Sequence, residues 1–131
     1  MVDCLIIGDS IAVGTGQVRK DCVTHAVSGI STHGWINKFK NIPLNAKVVV
    51  ISLGSNDIEN MRHEREDLEY LRSNVIGDRV LWILPHIKPR VQEIIWTIAE
   101  NYGDDVIVMQ TVSADGVHPT GRGYKEIAKS F

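Results

Sequence analysis

The feature that most constrains this chain is a set of five short strand-like runs: Cys4–Ile7, Cys22–Val27, Val48–Leu53, Val80–Leu84 and Val106–Met109. Most are nearly unbroken Val, Ile and Leu. A strand with one face in water alternates apolar and polar residues. An unbroken run is the pattern of a strand buried on both faces, as in a parallel sheet covered by helices. Helical stripes separate the runs. Leu68, Leu71, Val75 and Ile76 follow helical spacing. So do Val91, Ile94, Ile95, Ile98, Ala99 and Tyr102, and then Tyr124, Ile127, Ala128 and Phe131. Asn101-Tyr102-Gly103 reads as a helix end closed by glycine. Alternating strands and helices imply right-handed crossovers and a three-layer α/β/α sandwich on a five-stranded parallel sheet. The order 2-1-3-4-5, a common doubly wound arrangement, is the expected one.

The 131 residues contain no repeat or linker and read as one domain, 1–131. A chain of this length buries roughly two-thirds of its unfolded surface and needs no metal or disulfide to fold. Formal net charge is −2. Nucleic-acid and anionic-membrane binders carry a basic excess, so neither partner is expected. No apolar run approaches a membrane span. The opening residues lack a basic leader and read as a first strand. As written, the chain is expected in the cytoplasm, or at a target reached by lysis or assembly. Of the two cysteines, Cys4 reads as a small hydrophobe in a strand, and pairing with Cys22 stays open. There is no C-x-x-C or H-x-x-x-H, so no metal or other cofactor is expected.

In open α/β sheets, ligands bind beyond the carboxyl ends of the strands. The segments that follow the five runs are Gly8-Asp9-Ser10, Ser28-Gly29, Gly54-Ser55-Asn56-Asp57, Pro85-His86 and Asp115-Gly116-Val117-His118-Pro119. Topology brings them to one rim. That rim then carries a hydroxyl, an imidazole, a carboxylate, a glycine amide and a carboxamide, the parts of nucleophilic acyl transfer. Ser10 is the candidate nucleophile, at the start of a helix whose N–H groups point outward. His118 is the candidate base. Asp115, three residues earlier, is placed to orient its ring. The N–H of Ser10, the N–H of Gly29 and the Asn56 side chain are the candidate oxyanion donors. Pro119 restricts His118 and can open the last helix at its first position.

These residues resemble the SGNH hydrolases, also called the GDSL esterase/lipase family. The first block reads Gly8-Asp9-Ser10-Ile11, with Ile in place of the usual Leu. The second block supplies Gly29, the third is the G-x-N-D of Gly54–Asp57, and the last is the D-x-x-H of Asp115–His118. The resemblance implies a flavodoxin-like fold and a serine esterase working through an acyl-enzyme. It spans nearly the whole chain. The chain is short for that family, which leaves little room for a lid or deep acyl tunnel. A shallow site suits a small acyl group, acetyl above all, on a carbohydrate, cell-wall glycan or similar alcohol. A cell-wall-degrading hydrolase of the phage-lytic type, using the same triad, is the alternative enzyme reading.

Further residues have a functional and a structural reading. His86 either contacts substrate or is a solvated loop histidine. Trp35 either stacks on a sugar or packs inside. Asp57 either meets substrate or braces its loop, and Asp9 reads as a brace. Trp82 and Trp96 read as core, and His25 and His63 as structural or exposed. The charged stretch Glu59–Glu69 reads as a solvated helix face. Two rival functions differ in class. Gly8–Gly16 is a glycine-bearing turn of the kind that cradles phosphate, but Gly-Lys-Ser/Thr and the third dinucleotide-fingerprint glycine are missing. A receiver domain would want an aspartate where Leu53-Gly54 stands. An inactive binding module of the same fold would be expected to have lost at least one of the five site residues.

Overall fold

The computed structural model describes residues 2–59 and 62–131. The strands are β1 (Val2–Gly8), β2 (Val23–Ala26), β3 (Leu44–Ser52), β4 (Val75–Ile76), β5 (Arg79–Leu84) and β6 (Asp105–Val108). The helices are α1 (Ser10–Val18), α2 (Thr32–Lys38), α3 (Glu64–Ser73), α4 (Pro89–Tyr102) and α5 (Gly121–Ala128). The main sheet runs β2-β1-β3-β5-β6 with every pairing parallel. This is the expected order with one addition, the two-residue β4 beside the start of β3. Val75 and Ile76 therefore leave the helical stripe assigned to them. The helix ends at Ser73, and Val75 pairs with Leu44 and Ile76 with Asn45.

Alternate side chains of the central strands feed two cores, as the strand period of two requires. Leu5, Ile7, Val49, Ile51 and Trp82 face α2, α3 and α4. Cys4, Ile6, Val50, Leu81 and Ile83 face α1 and α5. Full burial of each Leu or Ile contributes about 1.5–3 kcal/mol, so the sheet is held from both sides. Trp82 is in the core as expected, whereas Trp96 is about half exposed on α4. Gly103 closes α4 in the left-handed conformation with φ 72°, again as expected. Behind it, Asp104 accepts a two-pronged bond from Arg72 at 2.7 and 2.9 Å and one from the Trp82 indole at 3.0 Å. This cluster ties α3 and β5 to the turn before β6.

Close backbone approach fixes the sheet's carboxyl end. Gly8 has φ 142°, and a Cβ there would lie 1.8 Å from the Ser52 carbonyl oxygen. The Asp9 N–H donates to that oxygen at 3.0 Å. The Asp9 carboxylate is buried and caps α1: Oδ1 accepts from the Ile11 N–H and from the Ser52 hydroxyl, each at 3.0 Å. Its Oδ2 has no hydrogen-bond partner among the described residues. Burial pushes the carboxyl up to about 6, and the Ser52 and backbone donors only partly offset it. The glycines considered for phosphate serve packing. A Cβ on Gly14 would lie 2.4 Å from the Tyr124 ring, and one on Gly16 2.4 Å from Thr24 Oγ1.

Cys4 and Cys22 form a disulfide with a sequence separation of 18, which settles the pairing left open above. It joins β1 to the residue before β2 and so closes the segment that contains α1. Loop-closure entropy assigns a crosslink of this span about 3 kcal/mol. The Cys4→Ala/Cys22→Ala double variant should therefore lose about 3 kcal/mol in urea unfolding at pH 7. Unchanged unfolding free energy would show that the bond contributes nothing. Asp9 gives a second expectation. Its folded pKa lies above the unfolded value of 3.8, so its neutral form favours the native state. Its contribution should be greatest below the unfolded value and decline as pH rises toward about 6. Asp9→Asn should remove that decline from the pH dependence of stability; an identical slope in both proteins would refute it.

Candidate functional site

The carboxyl ends of β1, β2 and β3 and the loop after β6 supply the site. Ser10 is the first residue of α1, with Asp9 as its cap. The cap takes the N–H of Ile11 and leaves that of Ser10, the first amide of the helix, directed outward. Ser10 Oγ lies 2.8 Å from His118 Nε2, although 108 residues separate them. His118 Nδ1 lies 2.7 Å from Asp115 Oδ2. An ionised carboxylate only accepts, so Nδ1 carries the proton toward Asp115. In the neutral ring Nε2 then accepts from the serine hydroxyl. Alcohol, imidazole and carboxylate thus form one continuous chain of hydrogen bonds.

Asp115 builds its own cradle. Its Oδ1 accepts from the N–H of Val117 at 2.8 Å, the N–H of His118 at 2.9 Å and the Ser113 hydroxyl at 2.8 Å. The backbone donors of His118 and Val117, then the His118 ring and Ser113, hold its carboxyl well below the usual carboxylate range. These donors and its half-exposed position in solvent both keep it ionised. The loop is closed by the Ser113 N–H donating to the His118 carbonyl at 2.8 Å, by a left-handed Gly116 (φ 71°) and by a Val112–Pro119 bridge. Pro119 does not open the last helix, which is a correction. Thr120 is the N-cap, its hydroxyl accepting from the Gly123 N–H at 3.1 Å, and Pro119 packs one residue before it. Tyr124 lies near both acids. Burial, then the charges of Asp9 and Asp115, push its phenol above the usual range, so it is neutral.

Gly29 and Asn56 occupy one neighbouring patch. Gly29 is exposed with φ 79°, and a Cβ there would meet nothing within 4 Å, so backbone conformation rather than space calls for glycine. The exposed Asn56 donates one amide hydrogen to the Ile30 carbonyl at 3.2 Å, one residue beyond Gly29. The second amide hydrogen of a carboxamide is left for another acceptor.

The outlying candidates part company. Trp35 is a correction: only 1% exposed, it donates from its indole to the His25 carbonyl at 3.0 Å and packs on Phe39. A ring enclosed in this way offers no face to a sugar. Asp57 is buried, with Oδ1 on the Thr32 N–H at 2.7 Å and Oδ2 on the Thr32 hydroxyl at 2.6 Å, which is the geometry of a brace. His86 is exposed beyond β5 and makes no hydrogen bond or ion pair among the described residues. The stretch Glu59–Glu69, two of whose residues lie outside the described ones, is not wholly solvated: Glu64 is buried against Asp57. Sequence reasoning did not single out Thr32, Ser52, Lys88 or Ser113. Only Ser113 carried a local signal, a hydroxyl two residues before the aspartate, in the short-range pattern by which such side chains organise turns.

No protein-family model matches the chain, and no curated protein matches it in sequence. Solved structures do resemble it. A GDSL-like lipase from Bacteroides thetaiotaomicron superposes with a TM-score of 0.69 at 20% identity, covering 98% of this chain and 84% of the other. A carbohydrate esterase family 3 protein from Talaromyces cellulolyticus gives 0.55 at 16% identity, with 98% and 93% covered. An acetyl xylan esterase from the rumen bacterium Butyrivibrio proteoclasticus gives 0.58 at 15%, with 98% and 61% covered. At these identities the likeness is one of fold. The chain has the α/β/α architecture of the SGNH-type hydrolases.

Proposed function

We propose that this chain is a serine esterase that removes a small acyl group, acetyl above all, from a carbohydrate, cell-wall glycan or similar alcohol. The observation that carries the reading is the unbroken Ser10–His118–Asp115 relay, with spacings of 2.8 and 2.7 Å. A serine hydroxyl is a weak nucleophile until a base removes its proton, and the relay supplies that base already oriented.

In this mechanism Ser10 Oγ attacks the ester carbonyl carbon while its proton passes to His118 Nε2. Asp115, kept ionised by its cradle, stabilises the imidazolium. The carbonyl oxygen becomes an oxyanion facing the N–H groups of Ser10 and Gly29 and the free amide hydrogen of Asn56. The tetrahedral species collapses, and the C–O bond to the alcohol breaks. The departing alkoxide takes the proton from His118, leaving acyl-Ser10. Water then attacks the acyl carbon with His118 again as base. Collapse frees the carboxylic acid and returns the proton to Ser10. No step calls on a metal or organic cofactor.

The openness of the site supports a small acyl group on a large alcohol. The His118 and Asp115 side chains are 43% and 50% exposed, and Gly29 and Asn56 are exposed as well. Such a rim can reach an ester carried on a polymer surface, and it offers little enclosure for a long acyl tail. The disulfide fits an oxidising compartment, where a cell-wall substrate would be met. No helix among the described residues is long and apolar enough to cross a membrane.

Purified protein should hydrolyse p-nitrophenyl acetate faster than longer acyl esters, without added metal or nucleotide. Ser10→Ala should lower kcat/KM on the order of 10⁴-fold, and intact mass should show a phosphonate adduct on the native protein alone. Native-like activity in the alanine variant would overturn the mechanism. Asn56→Ala should cost about 10²-fold in kcat with the fold intact. A loss below about threefold would remove Asn56 from the oxyanion site while leaving the nucleophile standing.

A further inference from the structure

Among the described residues, Lys88 alone combines a side chain with a positive φ (66°, ψ 76°). L-residues avoid this region because Cβ crowds the following carbonyl oxygen. Pro89 keeps Lys88 out of the right-handed helical region, but an extended backbone would satisfy that demand without strain. The side chain shows what holds the strained form: Lys88 Nζ donates to the backbone carbonyl of Asp57.

Asp57 is gripped from other directions too. Thr32, at the start of α2, holds both carboxylate oxygens through its N–H and hydroxyl. Glu64, at the start of α3 and 6% exposed, faces the same carboxylate. Burial first, then the hydrogen bond to Asp57 and the charges of Asp57 and Asp67, push Glu64 up, with Lys88 opposing. It is therefore held as a neutral acid beside Asp57, and its Oε1 is left without a partner among the described residues. Two unfavourable features, a left-handed lysine and a buried carboxyl with an orphaned oxygen, thus converge on one loop. Stability alone would favour glycine at the first and an apolar side chain at the second. Strain of this kind persists where the surroundings over-determine a geometry that function uses.

The residue beside Asp57 is Asn56, whose exposed side chain is anchored among the described residues through the 3.2 Å bond to Ile30. A donor for a transient oxyanion works only if it is already aimed. We propose that Lys88 is a positioning residue for Asn56: its left-handed backbone and its ammonium–carbonyl bond fix the backbone of Asp57, the residue covalently next to Asn56, while Thr32 and Glu64 hold the Asp57 side chain. This inference rests on the esterase reading, in which Asn56 faces the oxyanion.

The test is a double-mutant cycle of Lys88→Met and Asn56→Ala on p-nitrophenyl acetate, with an activity-independent arm. Alone, Lys88→Met should lower kcat about tenfold with KM changed less than twofold, the pattern of an interaction made in the transition state. With Asn56→Ala already present, it should lower kcat less than about twofold, because coupled residues are non-additive. Similar losses in both backgrounds, or no loss in either, overturn the proposal. If Asn56→Ala itself costs nothing, the oxyanion assignment and the role of Lys88 fall together, while Ser10→Ala still tests the nucleophile. In ¹H–¹⁵N spectra, Lys88→Met should shift or broaden the Asn56 side-chain amide pair and leave that of Asn45 in place. An unmoved Asn56 pair also refutes positioning, whatever the activity. Lys88→Gly takes the left-handed backbone without strain but lacks the ammonium. It should show the same losses, and it replaces Lys88→Met if that variant does not fold.

Discussion

The rest of the site hangs on the clasp between the ends of β1 and β3. Gly8 admits the Ser52 carbonyl where a Cβ would collide at 1.8 Å, and Asp9 then bonds that carbonyl, the Ser52 hydroxyl and the first turn of α1. One buried carboxylate thereby fixes the helix start to the two central strands. Ser10 follows by covalent connection, so its hydroxyl is aimed by the most rigid part of the sheet rather than by a loop. The clasp has a cost, since burial opposes ionisation of Asp9 and leaves one of its oxygens unpartnered. The bonds donated by the Ile11 N–H and the Ser52 hydroxyl offset part of it.

His118 is held on a different principle. Its loop contributes little to either core, and Asp115 stands half in water. An exposed pair of this kind adds little to stability. Its value is orientation: three donors on Asp115 Oδ1 leave Oδ2 one direction in which to accept, toward Nδ1. The loop docks because Gly123 lets α5 approach the Thr111 carbonyl, where a Cβ would lie 2.3 Å from the oxygen. Ser10 and His118 thus sit on separately braced pieces, joined at the rim by their 2.8 Å bond.

What the sequence disclosed and what it hid divide by range. The central strands β1, β3 and β5 were legible because a strand buried on both faces is apolar along most of its length, the partly exposed edge strands β2 and β6 only from shorter apolar runs, and the order was expected because it is a common doubly wound one. The two-residue β4 was not, because a pair of apolar residues has no period and fits a helical stripe equally well. Ser10, Asp115 and His118 were legible as residues following strands, since topology decides which segments share a rim. Trp35 was misplaced because it follows soon after the rim segment beyond β2, while α2 turns its ring inward to the His25 carbonyl. Pro119 was misplaced by two residues because Thr120 offers a better cap than the proline's fixed φ. Nothing local marks Glu64 or Lys88: each takes its meaning from Asp57, seven and thirty-one residues away, and no periodicity reports such a pairing.

The two halves of the rim also differ in where their charges lie. The Ser10–His118–Asp115 relay reaches into solvent, where charge forming on the imidazole is partly screened. Behind Asn56, the buried Asp57 carboxylate is held by Thr32 and faces the buried Glu64, while the half-buried Lys88 donates to the Asp57 backbone carbonyl. Such a group resists movement, because displacing Thr32 would leave the buried Asp57 carboxylate without its donors in a poorly solvated place. In the proposed mechanism the side that exchanges protons is left free to meet water and substrate, and the exposed Asn56 is backed by a braced Asp57. A short α/β chain without a lid cannot exclude water from its chemistry. It can still keep its oxyanion donors rigid, and that is the contribution to a transition state that survives in an open site.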